Sequence, residues 1–183
     1  MITDETLYRR YLEGDESGLT ALMERYGNSL TFYINGYLHD INDAEDLMIE
    51  AFAYLTVKKP PIRENFKAYL YKTARHLALR FVAKNRLRRC FGFEDLGQEP
   101  ESGSLIEEVI QTEERNRILH LCMEQLNPDY REALYLVYFE NMRHAQAADV
   151  MRKSEKQVAD LVYRGKRSLR IRLEQEGITG AEY

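Results

Sequence analysis

Apolar residues recur every three or four positions along almost the whole chain, and no stretch sustains the apolar–polar alternation that a half-buried strand requires. Such stripes are buried most simply against other helices, so the fold class is expected to be all-α. Leu7, Tyr8, Tyr11 and Leu12 form a first short stripe ending at Gly14, a residue suited to the left-handed conformation just past a helix end. Asp15 can cap a second helix whose stripe runs Leu19, Leu22, Met23, Tyr26, Leu30, Tyr33, Ile34 and Tyr37. Asn42 followed by Glu45 reads as a capping box opening a third helix, with Ala44, Leu47, Met48, Ala51, Phe52 and Leu55 inward. Lys58-Lys59-Pro60-Pro61 must end that helix, because proline donates no backbone hydrogen bond and biases its predecessor away from α. A fourth helix is predicted to restart near Asn65 and to repeat Phe66, Tyr69, Leu70, Thr73, Ala74, Leu77, Ala78 and Phe81.

Charge divides this helical chain. The formal net charge of −4 conceals a segment, residues 91–114, with eight acids and no Lys or Arg, so the remainder is formally +4. From Lys58 to Arg89 eleven basic residues face the single acid Glu64. The acidic stretch also holds Gly92, Gly97, Pro100, Ser102, Gly103 and Ser104, the composition of a linker. Two small helical domains are therefore expected, 1–90 and 112–183, each folding alone and joined by a flexible acidic linker, 91–111, with a helical turn around Leu105–Ile110.

Beyond the linker, Ile118, Leu119, Cys122 and Leu126 predict a helix that stops before Asn127-Pro128, where Asn127 can cap and proline suits the first helical position. A helix with Ala133, Leu134, Val137 and Tyr138 breaks at Glu140-Asn141. A short helical segment from Arg143 to Met151 precedes Ser154-Glu155-Lys156-Gln157, a capping box opening a longer helix with Val158, Leu161, Val162, Gly165 and Leu169 inward. A short helix, a tight turn and a basic helix form the arrangement that seats a recognition helix in the DNA major groove. Its outward residues Glu155, Lys156, Gln157, Asp160, Tyr163 and Arg164 can meet base edges or backbone, and Lys166, Arg167, Arg170 and Arg172 can meet phosphates. A solvated helical hairpin is the plainer alternative for this segment.

In the fourth helix Tyr69, Tyr71, His76 and Phe81 alternate with Lys72, Arg75 and Arg80, a pattern that can stack unpaired bases beside phosphate-neutralising cations, although Tyr69 and Phe81 also fit a core. Asp43, Asp46 and Glu50 fall on one face of the third helix. Without a His or Ser partner near them in sequence they suit a solvated or protein-binding face, not catalysis. His39, His76, His120 and His144 stand singly, Cys90 and Cys122 are expected to be free thiols, and neither a phosphate loop nor a nucleophile motif occurs. No enzyme activity, metal or cofactor is expected. The start MITDETLYRR lacks the order of a signal peptide and no apolar run approaches the ~18–20 residues of a membrane span, which implies a cytoplasmic protein without membrane insertion.

Three segments, Asp43-Ala44-Glu45-Asp46-Leu47-Met48-Ile49-Glu50-Ala51-Phe52, Phe66 to Ala78, and Tyr130-Arg131-Glu132-Ala133-Leu134 through Arg167, together resemble the extracytoplasmic-function class of bacterial RNA polymerase sigma factors over nearly the whole chain. The resemblance implies that Asp43, Glu45, Asp46 and Glu50 belong to the helix that docks on core RNA polymerase. It implies that Lys58, Lys59, Arg63, Asn65, Lys72, Arg75 and His76 bind and melt the minus-ten promoter element. Lys156, Gln157, Asp160, Arg164, Lys166 and Arg167 would then bind the minus-thirty-five element, with an anti-sigma factor as a further partner. The sequence departs from the family pattern at Ile49 (usually glutamine), His76 (commonly asparagine), Arg80 (frequently an acid), Arg152 (usually glycine in the helix–helix turn) and Ala159-Asp160-Leu161 (commonly Lys-Ser-Arg). A sigma-like regulator that binds DNA or protein without supporting initiation is the alternative these departures leave open.

Overall fold

The computed structural model describes residues 2–62, 64–90 and 110–177, with residues 86–90 and 110–116 described as backbone. Among the described residues there are only helices and their connections. The order is α1 (Asp4–Leu12), α2 (Ser17–Leu38), α3 (Ile41–Lys58), α4 (Phe66–Cys90), α5 (Ile110–Glu124), α6 (Pro128–Leu134), a π-helical turn (Tyr135–Phe139), α7 (His144–Met151) and α8 (Glu155–Gln175).

In the first half α2 is the central element, with α1, α3 and α4 packed around it. Gly18 lets α1 and α2 cross at backbone contact, since a Cβ there would stand 2.2 Å from the Leu7 carbonyl oxygen. Asp15 satisfies the start of α2 by accepting from the Ser17 N–H (3.0 Å) and the Ser17 hydroxyl (2.5 Å). The α3 cap differs from the expected Asn42–Glu45 box. Asp40 precedes the helix and accepts from the Asn42 and Asp43 N–H groups, because Ile41 already has helical conformation and starts the first turn one residue earlier. At its other end Lys59 turns left-handed (φ 42°), and the Tyr8 hydroxyl, buried under the loop, donates to the Pro60 carbonyl. Burial raises the Tyr8 phenol to about 12, with Tyr69 and Tyr11 adding to the shift. Glu5 reaches from α1 to accept the Phe66 N–H, so the start of α4 is capped by a residue 61 positions away.

In the second half Asn127 caps α6 by accepting from the Asp129 N–H, with Pro128 in the first turn. Gly165 of α8 lies against α6, where a Cβ would approach Leu134 Cδ1 to 3.1 Å and Tyr130 Cβ to 3.3 Å. The turn after α6 is π-helical, a feature the apolar spacing does not indicate. It stacks Tyr135 on Phe139, with centroids 5.5 Å apart and planes 9° apart. Helix α5 begins at Ile110, inside the span expected for the linker, while the turn expected around Leu105–Ile110 lies, but for Ile110, outside the described residues.

The halves do not stand apart. Helix α4 packs against α7, and side chains of α2 and α4 meet α6, the π-helical turn and α7. One apolar cluster runs from Leu7 to Val162 through both halves. The two halves expected as separate domains are packed against each other in this arrangement.

Candidate polymerase and nucleic-acid interfaces

The acidic face of α3 stands at the surface. Glu45, Asp46 and Glu50 are exposed and Asp43 is half-buried, while the opposite stripe Ala44, Leu47, Ala51, Phe52 and Leu55 fills the core. Burial, and then the neighbouring Asp40 and Asp46 carboxylates, raises the Asp43 carboxyl above its ordinary range. Glu50 has one distant ion pair, 3.9 Å to Arg80 on α4, in which both side chains are well exposed. Ile49, 54% exposed, adds an apolar group beside these acids. The face can take up a cationic or mixed protein surface with little rearrangement.

The loop from α3 to α4 presents Lys58 and Lys59 to solvent, with the Lys59 ammonium 5.7 Å from the centroid of the Tyr11 ring. Arg63 lies outside the described residues. Asn65 is left-handed (φ 57°) and its side-chain carbonyl accepts from Gln146 Nε2 at 3.0 Å. His76 is exposed. Tyr71, read from the sequence as a ring available for stacking bases, is instead fully buried and shares a 2.9 Å hydrogen bond with the Ser29 hydroxyl. Its position in the helical repeat, one turn from Ala74 and two from Ala78, directs it inward. Tyr69 and Phe81 are partly buried against the core.

Three cations of α4 meet carboxylates of the second half. Lys67 donates to the Glu140 carbonyl at 2.5 Å and pairs with its carboxylate at 2.8 Å. Lys72 pairs with Asp149 at 2.6 Å, and Arg75 Nε donates to Glu132 Oε1 at 2.8 Å. Glu132 is buried and also accepts from the Tyr33 hydroxyl at 2.8 Å. Burial works against the Arg75 guanidinium, but the Glu132 carboxylate outweighs it and raises the Arg75 pKa. Burial, reinforced by Glu132 and Tyr37, drives the Tyr33 phenol well above its ordinary value. Around these pairs, Tyr33 stacks on Tyr135 (5.8 Å), the Tyr135 hydroxyl donates to the Ser29 carbonyl, and Arg131 donates to the Gly36 carbonyl at 2.7 Å.

Sequence reasoning passed over Glu132, Glu140 and Asp149. A signal existed for the first. Glu132 shares a helical stripe with Leu136, one turn on, so an acid there needs a buried partner.

Helices α7 and α8 enclose a three-residue turn, Arg152-Lys153-Ser154. Arg152 takes the left-handed conformation (φ 54°, ψ 45°) that usually falls to glycine, and its N–H donates to the Ala148 carbonyl. Ser154 caps α8 reciprocally with Gln157: the Gln157 N–H reaches Ser154 Oγ at 3.2 Å and the Ser154 N–H reaches Gln157 Oε1 at 2.8 Å. The Gln157 carbonyl oxygen is thereby committed to the cap. Lys156, Asp160, Arg164 and Arg167 are exposed, and Tyr163 is 73% exposed on the same outer face. The Lys166 ammonium lies 5.1 Å from the centroid of the Tyr138 ring. Val158, Val162 and Gly165 hold the inner face. The result is a preset helix whose first turns carry a cation and an acid toward solvent.

Among the described residues no group of three or more His, Cys, Asp or Glu could hold a metal ion, and no helix is long and apolar enough to cross a membrane. Cys122 is a buried free thiol.

Two family descriptions match the chain. Sigma-70 region 2 matches residues 22–88, the span of α2 to α4, and Sigma-70 region 4 matches residues 116–169, from α5 into α8. The extracytoplasmic-function (ECF) RNA polymerase sigma factor SigM of Bacillus subtilis is 26% identical over 155 residues, covering 81% of this chain and 91% of that protein. The ECF RNA polymerase sigma-E factor of Escherichia coli K12 is 26% identical over 160 residues, covering 82% and 83%. Among solved structures, CnrH in complex with the cytosolic domain of CnrY superposes with a TM-score of 0.62 at 19% identity, covering 94% of this chain and 97% of that one. The sigma factor RpoE of Bartonella quintana, in complex with the anti-sigma factor NepR, gives 0.61 at 17% identity, covering 85% and 96%. These two similarities establish a shared helical fold.

Proposed function

Because the chain belongs to the sigma-70 family, in its extracytoplasmic-function class, we propose a division of labour along it for binding core RNA polymerase and directing it to promoters. Residues 1–90 dock on polymerase through Asp43, Glu45, Asp46 and Glu50 and engage the minus-ten element through Lys58, Lys59, Arg63, Asn65, Lys72, Arg75 and His76. Residues 91–111 link the halves. Residues 112–183 engage the minus-thirty-five element through Lys156, Gln157, Asp160, Arg164, Lys166 and Arg167. The protein performs no covalent chemistry itself and works in the cytoplasm, where its polymerase is. The sigma factor RpoE of Bartonella quintana, of the same fold, is seen bound to the anti-sigma factor NepR, and a protein inhibitor of that kind is the expected further partner.

The observation that carries this reading is the order of the two matched regions, the first ending on a basic helix and the second on a capped helix-turn-helix. Reconstitution with core polymerase and run-off transcription tests it, and a regulator that does not support initiation yields no polymerase-dependent transcript. Asp46→Lys with Glu50→Lys should abolish co-purification with core while helical content stays unchanged, since exposed substitutions usually shift stability by only about ±0.5 kcal/mol. Co-purification at wild-type yield would refute the docking assignment.

A further inference from the structure

Hydrogen-bond polarity at the start of α8 is set by the cap before any DNA arrives. A backbone N–H only donates, so the Gln157 atom 2.8 Å from the Ser154 N–H is the amide oxygen, and that oxygen is held against the helix start. The Gln157 N–H reaches Ser154 Oγ at 3.2 Å, which fixes the residue as the third of the helix. What Gln157 leaves to the outside is its amide nitrogen, a donor with no partner among the described residues. A free glutamine pairs with adenine by offering both ends at once, donating to N7 and accepting from N6. A capped one offers only the donor, which suits guanine O6 and N7 or thymine O4. Three residues on, on the same exposed side, Asp160 carries the opposite polarity, because a carboxylate accepts and has nothing to donate. Lys156 and Arg164 stand one turn to either side of it, yet among the described residues Asp160 forms no ion pair with them.

We propose that Gln157 and Asp160 set promoter specificity by this polarity, Gln157 selecting guanine or thymine and Asp160 selecting cytosine at a nearby base pair of the minus-thirty-five element. This inference rests on the reading of α8 as the helix that enters the major groove. Three residues of helix advance about 4.5 Å, little more than the ~3.4 Å step between stacked base pairs, so the two side chains address neighbouring pairs. Cytosine suits a carboxylate better than adenine does. Its N4 amino group is the donor an acid takes in the major groove, whereas adenine sets its N7 acceptor beside N6, where the second carboxylate oxygen would be repelled. Phosphates repel Asp160 as well, but that penalty falls on all sequences alike and leaves the base preference intact. The departure from the family pattern at Asp160 thereby becomes a change in the base that is read, not a loss of DNA binding.

Two substitutions change the polarity and spare the helix. Gln157→Glu keeps the cap, because a carboxylate oxygen accepts from the Ser154 N–H as the amide oxygen does, and it removes the free donor. Asp160→Asn keeps the size of an exposed side chain and adds the donor that adenine N7 requires. Full-length wild type and each variant are assembled with core polymerase and allowed to select from a promoter pool randomised across the minus-thirty-five region, built on a fragment that the wild type transcribes. The bound DNA is sequenced. The wild type should enrich guanine or thymine at one position and cytosine at another. Gln157→Glu should lower the first preference about tenfold and leave the second, and Asp160→Asn should move the second from cytosine to adenine. A merely structural or electrostatic role would shift binding of the whole pool uniformly with both preferences intact, and that result overturns the inference. Adenine enriched by the wild type at the position that Gln157→Glu alters overturns it too. Preferences that neither substitution moves remove this inference alone and leave α8 as the reading helix. A wild type that initiates transcription yet selects no upstream base removes both, and one that yields no transcript removes the functional reading beneath them.

Discussion

At Gly18 and Gly27, both on α2, the same residue type answers opposite demands. A methyl at Gly18 would meet the Leu7 carbonyl at 2.2 Å, and backbone cannot yield as a flexible side chain does. Gly18→Ala should therefore cost about 1–3 kcal/mol in a denaturant melt. Gly27 has open space around its Cβ position within the helix, so Gly27→Ala should gain about 0.5–1 kcal/mol through the lower entropy of the unfolded chain. Equal effects would mean that the α1–α2 crossing is looser than described. Arg152 is the converse case, a side chain held at φ 54° where a Cβ is unfavourable by roughly 1–2 kcal/mol. Arg152→Gly should raise the melting temperature without altering DNA contacts from α8, and a lower melting temperature would show that the arginine side chain has a compensating partner. Spacing alone does not distinguish Gly18 from Gly27, because the difference lies in what another helix brings near.

The second helix of the helix-turn-helix depends on its first turn. Ser154→Ala removes the side-chain acceptor of the Gln157 N–H and should cost about 1 kcal/mol, read as faster amide exchange in the first turn of α8. Lys156 is exposed beside that cap, and a lost base contact costs ~1–3 kcal/mol at one base pair. Lys156→Ala should thus relax base preference at the minus-thirty-five element, whereas Arg167→Ala should weaken binding to all sequences alike and reduce the salt slope by about one. Identical sequence profiles and salt slopes for the two variants would refute this separation. The Ser154–Gln157 box, the Asn127-Pro128 start and the Lys58–Pro61 break are legible in sequence because local backbone chemistry decides them. The α3 cap is misread from the sequence because Asp40 and Asn42 are both competent, and Ile41 decides between them by entering the helix. The π-helical turn is illegible because apolar spacing does not register one extra residue in a turn; within it Tyr135 stacks on Phe139 and on Tyr33 of the first half.

Tertiary pairing over long sequence distances governs the molecule as a whole, and a linear reading gives little purchase on it. Arg75 and Glu132 lie 57 positions apart, and a lone acid at 132 shows only that some partner is needed. The same buried interface has a consequence for the intact chain at high pH. Burial is the first cause of raised phenol pKa values at Tyr33, Tyr37, Tyr71 and Tyr135, and Glu132 or Glu140 adds to each. Tyr8, in the core of the first half, is pushed up to about 12 against an ordinary 10. In each case the folded state keeps a proton that the unfolded chain releases, so the stabilisation is complete below pH 10 and is lost as pH rises through the folded values. Helical circular dichroism should accordingly hold to about pH 10 and then collapse cooperatively, with tyrosinate absorbance from these rings rising in the same step. Because Tyr33, Tyr71 and Tyr135 join the halves while Tyr8 serves only the first, a carbodiimide crosslink between Lys72 and Asp149, paired at 2.6 Å across the halves, should disappear with the helical signal or before it, never after. Tyrosinate absorbance from these rings developing gradually below pH 10 with the helices intact would mean that they are wet in solution, and the packed interface would have to be given up.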